Sequence, residues 1–380
     1  MIHKLKKLDW VIVSIMLFMM VASFFLVRSA IQNQGENYYN YEYKHLLFFG
    51  IGFIVLGLVA FAHYHILLKY TLYLYGIGNA LLIAVYLFAP ELNGAKGWFQ
   101  LPGFNFQPAE FMKLILILTL AFFLARKYGN ELDLRHDTIR IGLIAFIPFV
   151  LVMIQPDLGN AIIYLVILLG MLWIGNIRYN IVIVGTASVI VAGVLGVILY
   201  QVFHQELATF VPPHWMARID TYLNPENASA DAIYQVLNAQ VAIGSGGLFG
   251  SGYMNGDSTK NGFVPFPYSD SIFVVVGEEF GFFGASVLLL MYFLLLYRMI
   301  LIAMKCQDLA GRYIVIGVVS MFIFQIFENI GMMMGIMPLT GITLPFISYG
   351  GSSLLINMAA VGLVLSIHAN PDLEEELPYA

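Results

Sequence analysis

Charged residues, cysteine and metal- or nucleotide-binding spacings are scarce in this sequence of 380 residues. Only 11% of the residues are charged, against about a quarter in soluble globular domains, which excludes an ordinary soluble fold. The single cysteine, Cys306, rules out an internal disulfide. The net charge of −5, with no basic cluster beyond the first residues, argues against nucleic acid as a partner. Hydrophobic residues make up 60% of the chain, so lipid is the expected environment.

The histidines and glycines also lack the spacings that bind metals or nucleotides. His63, His65, His204 and His214 form no HExxH or paired-ligand pattern, and there is no cysteine cluster, so no metal-binding motif is predicted. The glycine cluster at residues 244–250 lacks the GxGxxG and Walker spacings. Tight turns explain this cluster better.

Ten apolar runs are long enough to cross about 30 Å of hydrocarbon. They lie near residues 10–28, 45–62, 71–89, 109–126, 140–155, 158–175, 180–203, 269–298, 313–335 and 349–368. Only Gln155-Pro156-Asp157 separates the fifth run from the sixth, and the proline predicts a break there. The first run is too long for the core of a signal peptide and no A-x-A-like site follows it, so it is predicted to be a transmembrane helix.

The distribution of Lys and Arg indicates the orientation of these helices. With a cytoplasmic N-terminus, twelve of the 18 basic residues flank the inner ends of the spans and five flank the outer ends, as the positive-inside rule expects. We therefore predict an all-α integral membrane protein, a single domain over residues 1–380, with ten transmembrane helices and both termini cytoplasmic. A large extracytoplasmic loop, residues 204–268, is predicted between helices 7 and 8, and an acidic cytoplasmic tail at residues 369–380.

Ionisable side chains within a span cost about 2.5 to 3.5 kcal/mol each and are functional candidates by default. Glu110 and Lys113 stand three residues apart and can pair on one helix face, either as a neutralised pair or as part of a binding site. Glu278 and Glu279 are adjacent, so they point about 100° apart and at most one can face a given cavity. Structural roles are favoured for these two.

Further polar residues stand near the ends of the predicted spans. Asp157 follows a proline and is placed to cap the next helix. Asn329, beside Glu328, is placed for a polar helix contact or for simple packing. Asp270 lies at the water-facing mouth of the eighth span, where a carboxylate can be partly desolvated yet reachable, as a general base requires. Its alternative role is helix capping, since Ser269 and Asp270 are both favoured capping types.

Four stretches of the chain carry a resemblance to a known family. They are PLTGITLPFISYGGSS at residues 338–353, NGAKGWFQLPGFNFQPAEFMKL before and within the fourth span, QPDLG, and AIGSGGLFGSG. In order and placement they resemble the SEDS family of bacterial cell-shape, division and sporulation proteins, to which RodA, FtsW and SpoVE belong. The resemblance covers nearly the whole chain, from the first span to His368.

This resemblance implies a multi-pass glycosyltransferase of the bacterial cytoplasmic membrane that polymerises lipid II into glycan strands at the outer face, in cell elongation, shape or division. The implied ligands are lipid II and undecaprenyl pyrophosphate, and the implied partner is a class B penicillin-binding protein. Asp270 stands where the family has its essential aspartate, and is the implied catalytic base. The alternatives are a lipid II flippase, with Glu110, Lys113 and Glu328 along the transport path, and a non-catalytic scaffold for the penicillin-binding protein.

The same resemblance assigns substrate-binding positions in the outer loops and at the helix ends. These are Trp98, Lys96, Glu110, Lys113, Arg218, Asn329, Ser348 and Ser352. Among them Lys113, Arg218 and Lys96 are candidates to stabilise the charge of the leaving pyrophosphate. A divalent cation, Mg²⁺ or Mn²⁺, is a further candidate for that task, with no metal ligands assigned.

One position departs from the family pattern. The family commonly reads L-P-E-x-x-T-D-F-I-F around the essential aspartate, whereas this chain has VPFPYSDSIF and places Phe266 where the glutamate stands. A carboxylate is thereby lost beside the predicted base. Either the chain is fully active without it, or it is a divergent relative with altered substrate or reduced activity.

Overall fold

Helices dominate the computed structural model, which describes residues 8–32, 35, 40–91, 96–204, 206, 220 and 230–370. In chain order they are α1 (Trp10–Ala30), α2 (Tyr41–Phe61), α3 (Tyr64–Lys69), α4 (Thr71–Phe88), α5 (Pro108–Ala125), α6 (Ile139–Ile154), α7 (Leu158–Ile174), α8 (Tyr179–Val202), α9 (Ala230–Ser245), α10 (Asp257–Lys260), α11 (Ile272–Lys305), α12 (Leu309–Met333) and α13 (Gly351–Ala369). A π-helical turn, Leu134–Thr138, leads directly into α6.

Each predicted span coincides with one described helix. Eight of these helices are long and apolar enough to cross a membrane, with the π-helical turn counted as part of α6. The remaining two spans correspond to α7 and α8. The predicted break at Pro156 is confirmed, because α6 ends at Ile154 and α7 begins at Leu158. The prediction of a helical membrane protein is therefore confirmed.

Three helices, α5, α12 and α13, form most of the interior. Nearly every side chain of α5 is buried, while α4 and α8 expose large apolar side chains such as Tyr73 and Val184. Helices in lipid associate mainly by close packing, which small residues permit. At Gly362 of α13, a β-carbon would stand only 2.8 Å from the carbonyl oxygen of Leu56 on α2. Glycine is therefore required where these two helices cross.

A small β-hairpin precedes α5 and was not part of the all-α prediction. Its strands, β1 (Phe99–Leu101) and β2 (Phe104–Phe106), pair antiparallel around a turn that places Gly103 at φ +78°. Strands this short carry too little periodicity to be recognised in a sequence. The hairpin returns the chain to its starting point, so that both of its ends lie beside the first turn of α5.

The start of α11 differs from the prediction. The helix begins at Ile272 with Ser271 at the N-cap position, and no side chain caps it. The expectation that Ser269 or Asp270 caps this helix is therefore wrong. The physical reason is that the chain bends before the helix, so the Asp270 carboxylate stays beside its own N–H group and that of Ser271 rather than reaching the second or third helical residue.

A break inside α11 joins the helix to the preceding loop. Gly281 adopts φ 62° and ψ −158°, which only glycine reaches easily. The N–H groups of Phe282 and Phe283, freed by the break, donate to the carbonyl oxygens of Gly247 and Leu248 at 2.9 and 3.0 Å. The predicted tight turns in the 244–250 cluster are thus confirmed. Their carbonyl oxygens replace the hydrogen-bond acceptors that the break removes from the helix.

Candidate active site

A polar pocket of 390 Å³ lies where the hairpin, the α6–α7 break and the segment before α13 meet. The residues that line it include Trp98, Asn105, Gln107, Glu110, Asp157, Asn160, Ser269, Thr340, Gly341, Tyr349, Ser352 and Ser353. Most of these come from the QPAEF, QPDLG and PLTGITLPFISYGGSS stretches. Stretches far apart in the sequence therefore converge on one concave site, the usual form of a small-molecule site.

Asp270 lies beside this pocket, next to two residues that line it, although its own side chain is not part of the lining. Its Oδ2 atom is 3.9 Å from the point where a β-carbon on the pocket-lining Gly341 would stand, and its neighbour Ser269 lines the pocket directly. Burial raises the pKa of the Asp270 carboxyl from its ordinary 3.8 to about 6, although backbone N–H groups of Asp270 and Ser271 lower it in part. A carboxylate with a pKa near 6 is a stronger base than an exposed one, yet is still ionised at neutral pH.

The backbone that carries Asp270 is held at three consecutive carbonyl groups, those of residues 268–270. The N–H of Tyr349 donates to the first at 2.8 Å, the hydroxyl of Ser348 to the second at 2.6 Å, and the amide of Asn329 to the third at 2.8 Å. Pro265 and Pro267 just upstream cannot continue a helix or strand ladder. The segment thus takes its order from α12 and from residues 348–349.

Two predicted substrate-binding residues therefore lie behind the pocket. Asn329 uses its amide group on the backbone, since it also donates to the carbonyl of Ile342 at 2.7 Å. Ser348 donates to Ser269 and accepts from the N–H of Leu344 at 2.8 Å. Both side chains are buried and are placed to support Asp270. These bonds go to the segments that precede α11 and α13, so Asn329 makes a polar contact with non-helical backbone and not the predicted contact between helices.

Glu110 and Lys113 form the predicted pair in the first turns of α5. Lys113 Nζ lies 2.6 Å from Glu110 Oε2, and the Lys113 side chain is fully buried. Glu110 lines the pocket, whereas Lys113 is fully buried and does not line it. Lys113 therefore adjoins the pocket through the carboxylate of Glu110.

Asp157 combines the predicted cap with an unpredicted place in the pocket. Its Oδ1 accepts the backbone N–H of Asn160 at 3.1 Å, which confirms the cap at the start of α7. Its Oδ2 accepts the side-chain amides of Asn160 and Gln107, both at 2.8 Å. Gln107 was missed by sequence reasoning, although its position directly before Pro108 at the start of α5 was a usable signal.

Ser352 lines the pocket and ties the hairpin to α13. Its hydroxyl donates to the carbonyl of Asn105 at 2.5 Å and accepts the backbone N–H of Gln107 at 3.1 Å. Trp98 is half-buried at the pocket. Of the predicted substrate-binding residues, these two and Glu110 are the ones that the structure brings to the pocket.

Other residues singled out in the sequence lie away from this site. Lys96 is exposed and does not line the pocket, and Arg218 lies outside the described residues. Phe266 is 48% exposed with φ at 49°, and its ring centroid is 6.5 Å from that of Tyr268. A left-handed backbone at a bulky residue is uncommon and clusters at functional sites.

Glu278 and Glu279 bind the loop rather than a cavity. Glu278 accepts hydrogen bonds from the N–H groups of Ser258 at 2.6 Å and Thr259 at 3.2 Å, and from the Thr259 hydroxyl at 2.7 Å. Glu279 accepts from the Ser29 hydroxyl at 2.5 Å and the N–H of Met254 at 3.1 Å. These contacts agree with the structural roles expected for both.

The part of the chain that the structure describes holds no group of three or more His, Cys, Asp or Glu side chains that could bind a metal ion. The two acidic groups lining the pocket are already engaged, Glu110 with Lys113 and Asp157 with amide donors. These residues do not form a ligand set for the candidate divalent cation.

A polar pocket in an apolar helical bundle, with a raised-pKa carboxyl beside it, defines a membrane-embedded enzyme or transporter of polar ligands. Residues 6–372 match the family model of FtsW, RodA and SpoVE, described as cell cycle protein. The chain belongs to this family, known as SEDS.

Its relatives include a sporulation protein and two peptidoglycan glycosyltransferases. The chain is 35% identical to stage V sporulation protein E of Bacillus subtilis, over 85% of this chain and 86% of the relative. It is 36% identical to peptidoglycan glycosyltransferase MrdB of Escherichia coli K12, over 78% and 77%. It is 30% identical to peptidoglycan glycosyltransferase RodA of Treponema pallidum, over 91% and 93%.

Two solved structures share the fold over nearly the full length. A chain of a peptidoglycan synthase complex, described as coordinating polymerization and crosslinking, superposes with a TM-score of 0.79 and 29% identity, over 97% of this chain and 99% of that one. RodA of Thermus thermophilus, a rod shape determining protein, superposes with a TM-score of 0.69 and 28% identity, over 97% and 98%.

Proposed function

We propose that the chain is a peptidoglycan glycosyltransferase that polymerises lipid II at the outer face of the bacterial cytoplasmic membrane, with Asp270 as the general base. The relatives named peptidoglycan glycosyltransferase support the activity. The observation that carries the site is the Asp270 carboxyl, held beside the pocket-lining residues Ser269 and Gly341 with its pKa raised to about 6. A group so placed can take a proton near neutral pH.

The proposed reaction is glycosyl transfer with inversion. Asp270 accepts the proton of the 4-hydroxyl group of the acceptor N-acetylglucosamine. The freed oxygen then attacks the anomeric carbon of the lipid-linked donor chain, the new O–C bond forms, and the bond to undecaprenyl pyrophosphate breaks. The pyrophosphate leaves with the electron pair of that bond, and the proton on Asp270 returns to water when the site opens.

The pocket-lining side chains are proposed to bind the sugars. Trp98 and Tyr349 offer aromatic faces for the sugars, while Gln107, Ser352 and Glu110 offer polar groups beside them. The geometric requirement is that acceptor hydroxyl and donor carbon meet within about 3–3.5 Å.

The leaving pyrophosphate needs positive charge nearby. Lys113, Arg218 and Lys96 are the proposed sources. Lys113 is held by Glu110 at 2.6 Å, so its contribution requires the pyrophosphate to approach that pair. Lys96 is exposed and free to reorient toward a bound substrate.

The proposed topology is ten transmembrane helices in a single domain with both termini cytoplasmic. It is supported by a helix at each predicted span and by the Lys and Arg distribution. Residues 204–268 form the proposed extracytoplasmic loop, of which α9 and α10 are described. Of the proposed acidic cytoplasmic tail, residues 371–380 lie outside the described residues.

A class B penicillin-binding protein is the proposed partner. The support is the similarity to a chain of a solved peptidoglycan synthase complex that coordinates polymerization and crosslinking. Co-purification of the full chain with a candidate cross-linking enzyme tests this association.

Reconstitution of the purified chain in liposomes tests the proposed function. Lipid II added from outside should be converted to glycan strands by the native chain and by the control Asp257→Asn, which alters an exposed carboxylate in the loop that precedes Asp270. Asp270→Asn should make no glycan while remaining folded, as judged by its melting temperature. Movement of labelled lipid between leaflets without glycan product would instead indicate a flippase, and neither activity would indicate a scaffold.

A further inference from the structure

A series of hydrogen bonds connects the segment that holds Asp270 to a buried histidine on α2. Ser23 on α1 and His45 on α2 are both fully buried. The hydroxyl oxygen of Ser23 lies 2.7 Å from Nε2 of His45 and 2.6 Å from the carbonyl oxygen of Ile347. Ile347 directly precedes Ser348 and Tyr349, whose bonds hold the backbone next to Asp270.

The chemistry of these three groups fixes the direction of both hydrogen bonds. A serine hydroxyl has one proton, and a carbonyl oxygen can only accept, so Ser23 donates to Ile347. Nε2 of His45 must then carry a proton and donate to Ser23. Nδ1 of His45 is buried with no hydrogen-bond partner in the described part of the chain, so protonating it would bury an unpaired donor. The geometry therefore requires a neutral His45 protonated at Nε2.

We propose that His45 is a positioning residue for the glycosyl-transfer site. It fixes the hydroxyl of Ser23, which fixes the Ile347 carbonyl, and residues 347–349 in turn hold the Asp270 backbone. The His45 ring adds packing, with its centroid 5.1 Å from that of Phe49 and 5.5 Å from that of Tyr349. His45 does not line the pocket, so it acts through the backbone and not on substrate.

The hydrogen-bonded series from His45 through Ser23 to the Ile347 carbonyl, here called the relay, has a physical reason. The Ile347 carbonyl is a buried acceptor in an irregular segment, and an unpaired buried acceptor costs about 1–3 kcal/mol. Ser23 satisfies that acceptor, and His45 leaves the serine only one orientation in which both bonds form. A pair of apolar side chains would fill the same volume without fixing the position of the Ile347 backbone, whereas a polar network with all its hydrogen bonds made specifies one arrangement.

This inference rests on the proposed role of Asp270, and a set of point variants tests it. Ser23→Ala and His45→Leu each break the relay, while His45→Gln can still present an amide donor near the Nε2 position and His45→Asn cannot reach it. Ser14→Ala is the matched control, because Ser14 lies on α1 like Ser23, is exposed, and among the described residues donates its hydroxyl hydrogen bond to the carbonyl of Trp10 on the same helix. Glycan formation from lipid II is measured across pH with the full-length chain in liposomes.

We expect Ser23→Ala and His45→Leu to lower kcat by about tenfold or more, since small displacements of a catalytic group cost that much. The loss in the double variant should not exceed the larger single loss, because both act through one chain of bonds. His45→Gln should retain most of the activity and His45→Asn should not. The pH midpoint of kcat should also fall in the broken variants, since burial is the largest cause of the raised Asp270 pKa and a looser segment admits water.

Three results would overturn the proposal. The first is unchanged kcat and pH midpoint in Ser23→Ala and His45→Leu, and the second is equal effects of Gln and Asn at position 45. The third is a loss of activity by one common factor at every pH, which indicates a lower folded fraction only. In each case Asp270→Asn separates the claims: if it abolishes polymerisation, the proposed site stands without the relay, and if it is active, the proposed site itself fails.

Discussion

Two parts of the stretch from residue 262 to residue 284 hold carboxylates in opposite surroundings. Glu278 and Glu279 accept hydrogen bonds from loop N–H and hydroxyl groups that close over them. Asp270 has its backbone carbonyl held by Asn329, while its carboxylate lies beside the pocket with only adjacent backbone N–H groups lowering its pKa. A carboxylate saturated by donors is a structural acceptor, whereas one that is desolvated and reachable is able to take a proton.

The largest expected effect comes from removing the reachable carboxylate. Asp270→Asn should lower glycan polymerisation by about 10² to 10⁴-fold, the usual contribution of a general base. Steady-state turnover of lipid II by the purified variant measures this loss. Activity within a factor of about three of the native chain would show that Asp270 is not the base.

The same variant should not be less stable at neutral pH. A carboxyl with a raised pKa contributes stability below its unfolded value of 3.8, and that contribution is lost as the pH rises through about 6. At neutral pH the ionised Asp270 is therefore a cost, of up to about 3 kcal/mol by the size of the shift. The melting temperature of Asp270→Asn should equal or exceed that of the native chain above pH 7, and a marked decrease would contradict this account of the site.

The next largest effect is expected behind Asp270. Asn329→Ala removes the amide that bonds the carbonyl oxygens of Asp270 and Ile342. Leaving buried acceptors unpaired costs about 1–3 kcal/mol, and the looser backbone should lower kcat by about tenfold. Turnover at saturating lipid II is the measurement, and a change in KM alone would instead place Asn329 in direct contact with substrate.

Removing Glu278, whose carboxylate is fully engaged in hydrogen bonds, should lower stability more than turnover. Glu278→Ala deprives Ser258 and Thr259 of their acceptor and should lower the free energy of unfolding by about 1–3 kcal/mol. Turnover per folded molecule should change little. Glu91→Ala, at an exposed carboxylate, is the control. A Glu278→Ala variant that kept its stability but lost turnover would contradict the structural role of Glu278.

The smallest effect is expected at the position where the family pattern has glutamate. Phe266 is exposed and does not line the pocket, so Phe266→Glu should change the polymerisation rate by less than about threefold, as surface substitutions usually do. A large gain in rate would instead mark the native chain as a weakened or specialised enzyme. Parallel assays of both proteins on the same lipid II preparation decide between these outcomes.

Much of the fold was predictable because hydrocarbon imposes simple rules on a sequence. Span positions follow from hydropathy, the Glu110–Lys113 pair follows from a spacing of three, and the Asp157 cap follows from its place after a proline. The break at Gly281 was not predictable, because it depends on a loop whose carbonyl oxygens replace the missing helix partners.

The site was only partly predictable for a related reason. A sequence shows that Asn329 and Ser348 are polar, but not that their hydrogen atoms are already used on backbone carbonyl oxygens. The position of Gln107 in the pocket, where its amide bonds Asp157, likewise depends on the fold of the hairpin that precedes it. Polar residues of one motif thus divide into those that line the pocket and those that hold the backbone beside it, and only the three-dimensional structure distinguishes them.

The dependence of kcat on pH tests the central claim most directly. If Asp270 is the base and its pKa is raised by burial, turnover of saturating lipid II should rise with pH through a midpoint near 6 and level off above 7. The residual turnover of Asp270→Asn should lose that midpoint. A native midpoint near 4, as for an exposed carboxylate, or a midpoint of 6 that persists without Asp270, would contradict the account.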